Sequence, residues 1–185
     1  MKCFQVVGFL LGLALCSATL IGQDAAEAAS AEEIDRDVKV SLDKLYNKSH
    51  SAKGLSERAV GILVFPSIIK GGFMVGGKYG EGALIKGGKT AGYYNAVQVS
   101  YGLQIGLQTY GYALFFMSES AMDWLDKSDG WELGVGPTIV VVDSGASMST
   151  STTTAKSDIY AFFFDQKGLM AGLGLQGTKI SRVKK

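Results

Sequence analysis

Glycine alternates with β-branched and aromatic residues from Val60 onward, and this pattern restricts the possible folds more than any other feature of the chain. β-Branched and aromatic residues favour strands, and glycine within a strand lets another segment approach its backbone closely. The clearest alternation covers residues 96–109, where apolar residues occupy one set of positions and small or amide-bearing residues occupy the other. We therefore predict one strand over these residues.

Shorter strand segments surround this one. Residues 61–65 predict a strand that ends at Pro66, and residues 72–75 and 83–85 predict strands on either side of a glycine-rich turn region. Consecutive strands joined by short polar turns indicate a predominantly antiparallel sheet, arranged as a sandwich or in a barrel-like form.

Two segments predict helices, so the expected fold class is α+β. Ile34, Val38, Leu42 and Leu45 recur at helical spacing, with acidic residues toward the first turn and lysines toward the last, which matches the helix dipole. This pattern predicts a long N-terminal amphipathic helix, whose apolar stripe either packs on the sheet or inserts into a membrane surface. A short internal helix is predicted near Trp124.

Residues 1–28 have the pattern of a secretory signal peptide. Lys2 precedes an apolar run over residues 6–21, and the small residues Ala26 and Ala28 permit cleavage after Ala28. Residues 29–185 would then form one domain, exported to the periplasm or cell envelope. Two alternatives stay open: a retained hydrophobic anchor, and an outer-membrane lipoprotein, since residues 13–16 resemble a lipobox in which Cys16 is acylated.

The composition argues against catalysis. Both cysteines lie within residues 1–28, and His50 is the only histidine in the chain, which excludes a cysteine or two-histidine metal site in the exported part. A net charge of +1 gives no support for nucleic-acid binding. Gly72 to Lys78 has the spacing of a phosphate-binding loop, but Tyr79 replaces the magnesium ligand and no helical pattern follows. We expect no enzyme activity, cofactor, metal or nucleotide.

Four glycine-containing blocks carry a family resemblance. Residues 59–84, 100–108, 134–137 and 167–177 resemble, in this order, the blocks of the SYLF lipid-binding family, over roughly residues 42–183. The resemblance implies phospholipid binding without catalytic residues, with phosphoinositides as ligands of eukaryotic relatives and actin binding in some, including yeast members. For an exported bacterial member we expect anionic phospholipid as the partner, and actin only by analogy.

Basic residues near predicted turns and chain ends are the candidate lipid-binding residues, because each lysine held near an anionic bilayer contributes about 1 kcal/mol. The first group, expected to gather at one end of the sheet with neighbouring aromatic residues, comprises Lys70, Lys78, Lys86, Lys89, Phe73 and Tyr79. A secondary basic patch comprises Lys179, Arg182, Lys184 and Lys185.

Two other functions remain compatible with the sequence. One is a structural or protein-binding module of the cell envelope. The other is a small outer-membrane β-barrel, because the alternation over residues 96–109 is long enough to span a bilayer. The two predicted helices and the final Lys185 argue against the second alternative.

Overall fold

The computed structural model describes residues 29–73, 75–101, 106–127, 129–142, 157–168 and 175–185, so the predicted leader with Cys16 lies outside the described residues. The helices are α1 (Ala31–Lys48), α2 (His50–Ser56) and α3 (Glu119–Met122), the last continued by a 3-10 turn over Asp123–Asp126. The strands are β1 (Gly61–Phe73), β2 (Val75–Lys86), β3 (Lys89–Tyr101), β4 (Gly106–Phe116), β5 (Trp131–Glu132), β6 (Ile139–Val142), β7 (Ile159–Gly168) and β8 (Lys179–Val183). None of these described helices combines the length and hydrophobicity needed to cross a bilayer.

The eight strands form one sheet in the order β5-β8-β3-β2-β1-β4-β7-β6, and every neighbouring pair except β6–β7 is antiparallel. The sheet is strongly curled. The rings of Trp131 on β5 and Phe116 on β4 lie 6.1 Å apart, although a flat sheet would separate these two strands by about 24 Å. The predicted α+β class with a mostly antiparallel sheet is confirmed.

Curling gives the sheet an inner and an outer face, and each face covers its own apolar cluster. On β1, Leu63 and Phe65 point to the inner face, where they pack with residues of β4, β7 and β8 and with Leu125 from the 3-10 turn. Ile62 and Val64 point to the outer face, beneath α1 and α2. Alternate residues of the same strand therefore contribute to two separate cores.

Helix α1 lies across the outer face. Ser30 and Glu33 form a reciprocal capping box at its start, which satisfies two backbone N–H groups. Its apolar stripe is buried in the outer cluster: Ile34, Val38, Leu42 and Leu45. The predicted long N-terminal helix is therefore supported in part. The helical residues are divided at Ser49, which is extended and caps the separate helix α2. The stripe packs on the sheet and is not exposed for insertion into a membrane.

Strand β1 continues past the position where the sequence predicts its end. Pro66 lies in a register shift between Phe65 and Ile68 against β4, and a bulge accommodates a residue that has no N–H to donate. The turn region expected between residues 75 and 83 is also wrong, because these residues belong to the long strand β2. At Gly82 on β2, a Cβ would overlap the Val64 carbonyl oxygen, so glycine allows these two strands to approach.

The single strand predicted over residues 96–109 is divided between β3 and β4, which pair with β2 and β1 respectively. Residues 102–105, which connect them, lie outside the described residues. The same two-residue alternation continues in both strands, so alternation alone does not locate the reversal of the chain.

Candidate functional site

The structure separates the four lysines that the sequence places together. Lys70 on β1 lies directly opposite Lys78 on β2, and we call these two residues the inner pair. Lys86 and Lys89 lie opposite each other where β2 meets β3, and we call them the turn pair. Eight residues of extended β2 separate Lys78 from Lys86, about 26 Å. A single four-lysine cluster at one end of the sheet is therefore wrong, because the glycine-rich segment is a continuous strand.

The inner pair is not an ordinary pair of surface lysines. Lys78 shares a face with Leu84, so it points to the inner face, and it is 4% exposed. Burial and, to a smaller extent, the charge of Lys70 together lower the pKa of Lys78 to about 8. This ammonium group therefore loses its proton much more readily than a solvated lysine does.

The turn pair lies beside two glycines with positive φ, Gly87 and Gly88, which form the tight turn between β2 and β3. Both lysines are exposed. Lys86 Nζ lies 3.1 Å from Glu119 Oε2, so a carboxylate from α3 partly neutralises this end of the hairpin.

Of the two candidate aromatic residues, Tyr79 lies on the outer face of β2 and is 47% exposed. Its hydroxyl donates to Glu81 Oε1 at 3.0 Å. Phe73 is the last residue of β1 and pairs with Val75, and its side chain is outside the described part of the structure. The sequence-predicted neighbours thus lie on different faces of the sheet, since Tyr79 points away from the inner pair.

The secondary basic patch is also divided. Lys184 is exposed, and Arg182 lies 3.3 Å from Asp126 Oδ1. The Lys185 side chain is only 10% exposed and lies 2.9 Å from Glu81. Lys185 Nζ also donates to the Ala29 carbonyl at 2.8 Å, and Glu81 accepts from the Ala29 N–H at 3.1 Å. Lys185 therefore has a structural role that joins the two ends of the described chain.

Sequence reasoning missed an exposed apolar area on the outer face, beyond the part covered by α1. Five large side chains there are exposed by 37–63%, and we call them the outer apolar surface: Ile69, Tyr79, Val97, Val99 and Leu107. They lie on the adjacent strands β3, β2, β1 and β4. The alternation of Val97 and Val99 with polar residues signals an apolar face, but the sequence does not indicate that this face stays uncovered.

Strand register shows how these side chains are arranged. One row across the sheet runs Val97, Tyr79, Ile69 and Thr109, and the next row contains Val99 and Leu107 with two glycines between them.

Lysines lie at both ends of the first row. Lys179 on β8 is opposite Val97, and Lys167 on β7 is opposite Thr109. Directly opposite residues share a face, so both exposed lysines border the outer apolar surface.

The carboxylates near this surface are mostly paired. Glu81 binds Lys185, and Asp165 lies 3.1 Å from Lys48 Nζ and 3.5 Å from Lys44 Nζ. The hydrogen bond from Lys48 lowers the pKa of the Asp165 carboxyl. Glu132 on the edge strand β5 lies opposite Lys179. In the parts of the chain that the structure describes, no three carboxylate, histidine or cysteine side chains converge as they would around a metal ion.

Residues 97–185 match the family model described as Ysc84, Las17-binding protein actin regulator. No curated protein matches the chain. The matched residues run from within β3 to Lys185, just beyond β8, so they include Val97, Val99 and Leu107 of the outer apolar surface together with Lys167 and Lys179.

Proposed function

The chain belongs, through its residues 97–185, to the SYLF family of binding domains, and on this premise we propose that it binds the surface of membranes containing anionic phospholipid and carries out no reaction. The family is linked to lipid and actin binding, and anionic phospholipid is the ligand that we propose for this chain.

The outer apolar surface is the observation that carries the proposal. Contiguous apolar area of this kind on a soluble domain marks an interaction site, and transfer of apolar area out of water stabilises the bound state by about 25 cal/mol per Å². Tyrosine is suited to the headgroup region, where its ring is covered and its hydroxyl stays wet. Tyr79 lies at the centre of the outer apolar surface, and its hydroxyl donates to Glu81.

Charge placement favours a bilayer with anionic lipids. Lys167 and Lys179 border the apolar residues on two sides, and lysine can extend its ammonium group to the headgroups while its methylene chain covers apolar atoms. Each contributes about 1 kcal/mol near an anionic surface. In this arrangement the outer-face lysines supply the attraction, whereas the inner pair points to the opposite face of the sheet.

Sedimentation with vesicles of graded anionic lipid content tests the proposal. We expect binding that requires anionic lipid and weakens as salt screens the charges. A Lys167→Gln/Lys179→Gln variant should bind about 30-fold more weakly, since two lysines contribute about 2 kcal/mol. The matched control is Lys86→Gln/Lys89→Gln, which removes the same charge at the turn pair and should bind as the unchanged protein does. Equal binding to neutral vesicles, or equal losses in both variants, would refute the assignment.

A protein partner is the second candidate, because the matching family description names Las17 binding and actin regulation. The outer apolar surface would then cover a complementary protein surface. No sedimentation with any vesicle, together with sedimentation with actin filaments, would favour this second function over the first.

The location in the cell is a separate part of the proposal. We propose export to the periplasm or cell envelope after removal of residues 1–28, on the signal-peptide pattern of these residues. The mass of the protein recovered from fractionated cells tests it. A chain beginning at Ala29 agrees with the proposal, an acylated Cys16 indicates a lipoprotein, and an intact chain in the cytoplasm contradicts export.

A further inference from the structure

An open cleft lies beside the 3-10 turn that follows α3. Its volume is about 540 Å³, and we call it the Trp124 cleft. The residues that line it come from the 3-10 turn, from β5 and from the segments next to them, and they include Trp124, Lys127, Asp129, Trp131, Glu132 and Val135. None of these residues belongs to the outer apolar surface, so a ligand in this cleft is separate from the membrane contact proposed above.

Neighbouring residues hold the Trp124 ring in place. Gly136 lies against the six-membered part of the ring so closely that a Cβ there would overlap it. The indole N–H of Trp131 donates to the Val135 carbonyl at 2.9 Å, which ties the segment before Gly136 to the start of β5. Trp124 is partly buried against the inner apolar cluster, and the rest of its side chain is exposed. The ring therefore has a fixed position at the cleft.

A cation of the protein itself already contacts this ring. Lys127 Nζ lies 4.1 Å from the centroid of the Trp124 ring. Tryptophan is the side chain that attracts a cation over its face most strongly. Lys127 is exposed, and among the described residues its ammonium group forms no ion pair with a carboxylate. The ring is thus suited to an ammonium group, and a single exposed contact holds the present one.

The cleft also carries negative charge that no ion pair neutralises. Asp129 and Glu132 line it and are exposed, and in the described parts of the chain neither carboxylate lies within ion-pair distance of a lysine or arginine. A cation that enters the cleft is therefore attracted by two carboxylates in addition to the Trp124 ring. The same charges repel an anion.

We propose that the Trp124 cleft binds a small organic ammonium cation, which takes the place of Lys127 over the Trp124 ring. A quaternary ammonium group fits best, because its methyl groups are apolar and contact the ring and Val135, while Asp129 and Glu132 supply the opposite charge. These carboxylates disfavour an ammonium group that is joined to a phosphate, as it is in the headgroup of phosphatidylcholine. The ligand is therefore a free cation and not a lipid headgroup.

Tryptophan fluorescence at increasing concentrations of choline chloride measures the binding, with sodium chloride of equal ionic strength as the reference. Trp124 and Trp131 are the only tryptophans in the chain, and Trp131 is 1% exposed, so a change reports on Trp124. We expect a saturable change with choline and weaker binding of phosphocholine.

Two variants test the roles of the charged residues. Lys127→Gln should bind choline about 2- to 5-fold more tightly, because the ligand no longer competes with an exposed cation–π contact. Lys39→Gln is the matched control, since it removes the same charge at an exposed position of α1, and it should bind as the unchanged protein does. Asp129→Asn should bind choline about 2- to 5-fold more weakly, which is the effect of one exposed charge.

Three results would overturn the proposal. The first is the absence of a saturable change with choline in both the unchanged protein and Lys127→Gln. The second is equal choline binding by Lys127→Gln and Lys39→Gln, which would make the Lys127 contact purely structural. The third is binding of phosphocholine as tight as that of choline. Trp124→Leu should abolish the change, and if this variant does not fold, Lys127→Gln at its exposed position keeps the test decisive.

Discussion

Replacing apolar residues on the outer face should weaken membrane binding without weakening the fold. The variant is Ile69→Thr/Val99→Thr/Leu107→Thr, which retains residues that favour strands. The three side chains are exposed by 56%, 63% and 62%, so they contribute little to the core of the free protein.

The structure sets the size of the expected effect. Full burial of such a side chain stabilises by about 2 kcal/mol, and about 60% of it is available at each position, or about 1.2 kcal/mol. Threonine retains one methyl group, so about two thirds of the total is lost, about 2.4 kcal/mol for the three residues. That loss corresponds to about 50-fold weaker binding.

Vesicle sedimentation at constant anionic content measures this change, with urea unfolding of the same samples as the control for stability. Val141→Thr is the matched variant, because Val141 is 57% exposed but lies on the edge strand β6. It should bind like the unchanged protein. Unchanged binding of the triple variant, with its stability intact, would refute the view that these apolar residues enter the membrane.

Four further predictions concern the fold. Gly82→Ala should lower the free energy of unfolding by about 1–3 kcal/mol in urea titration, because its Cβ would overlap the Val64 carbonyl. Gly54→Ala on α2, where a Cβ meets no atom within 4 Å, should instead stabilise by about 1 kcal/mol. The pKa of Lys78 is lowered to about 8 in the fold, so the unfolded chain binds more protons above that value, and stability should rise from pH 8 to 10 relative to Lys78→Met. The lowered pKa of the Asp165 carboxyl gives stability that is lost as pH falls below 4, and urea titrations should show a smaller acid loss in Asp165→Asn.

Much of the fold could be predicted from local patterns. The spacing of Ile34, Val38 and Leu42 indicates α1, and period-two alternation indicates strands. The lengths of β1 and β2 could not be predicted, because Pro66 and the glycines that follow it commonly end strands. Here a bulge accommodates Pro66, and close strand approach requires Gly82. Both conditions depend on the neighbouring strand and are invisible in the local sequence.

The candidate site was harder to predict than the fold. Lysine positions are evident in the sequence, but their grouping depends on strand register, which pairs Lys70 with Lys78 and places Lys86 at the far end of β2. The exposure of the outer apolar surface depends on how much of the outer face α1 covers. Val97 and Val99 have the same pattern as residues buried elsewhere in the protein, so the sequence alone does not separate a covered from an uncovered face.

The contact among Ala29, Glu81 and Lys185 would link the proposed cleavage after Ala28 to the stability of the fold. Cleavage after Ala28 would turn the Ala29 peptide N–H, 3.1 Å from Glu81, into a charged amino group. Glu81, whose side chain is 11% exposed, would then lie between two cations, since Lys185 is already 2.9 Å away. Removal of the leader would in this way strengthen the interaction of Glu81 with Ala29 and Lys185, which joins the two ends of the described chain. A chain beginning at Ala29 should therefore unfold at a higher temperature than one with a single extra residue before it, and Glu81→Gln should reduce that difference.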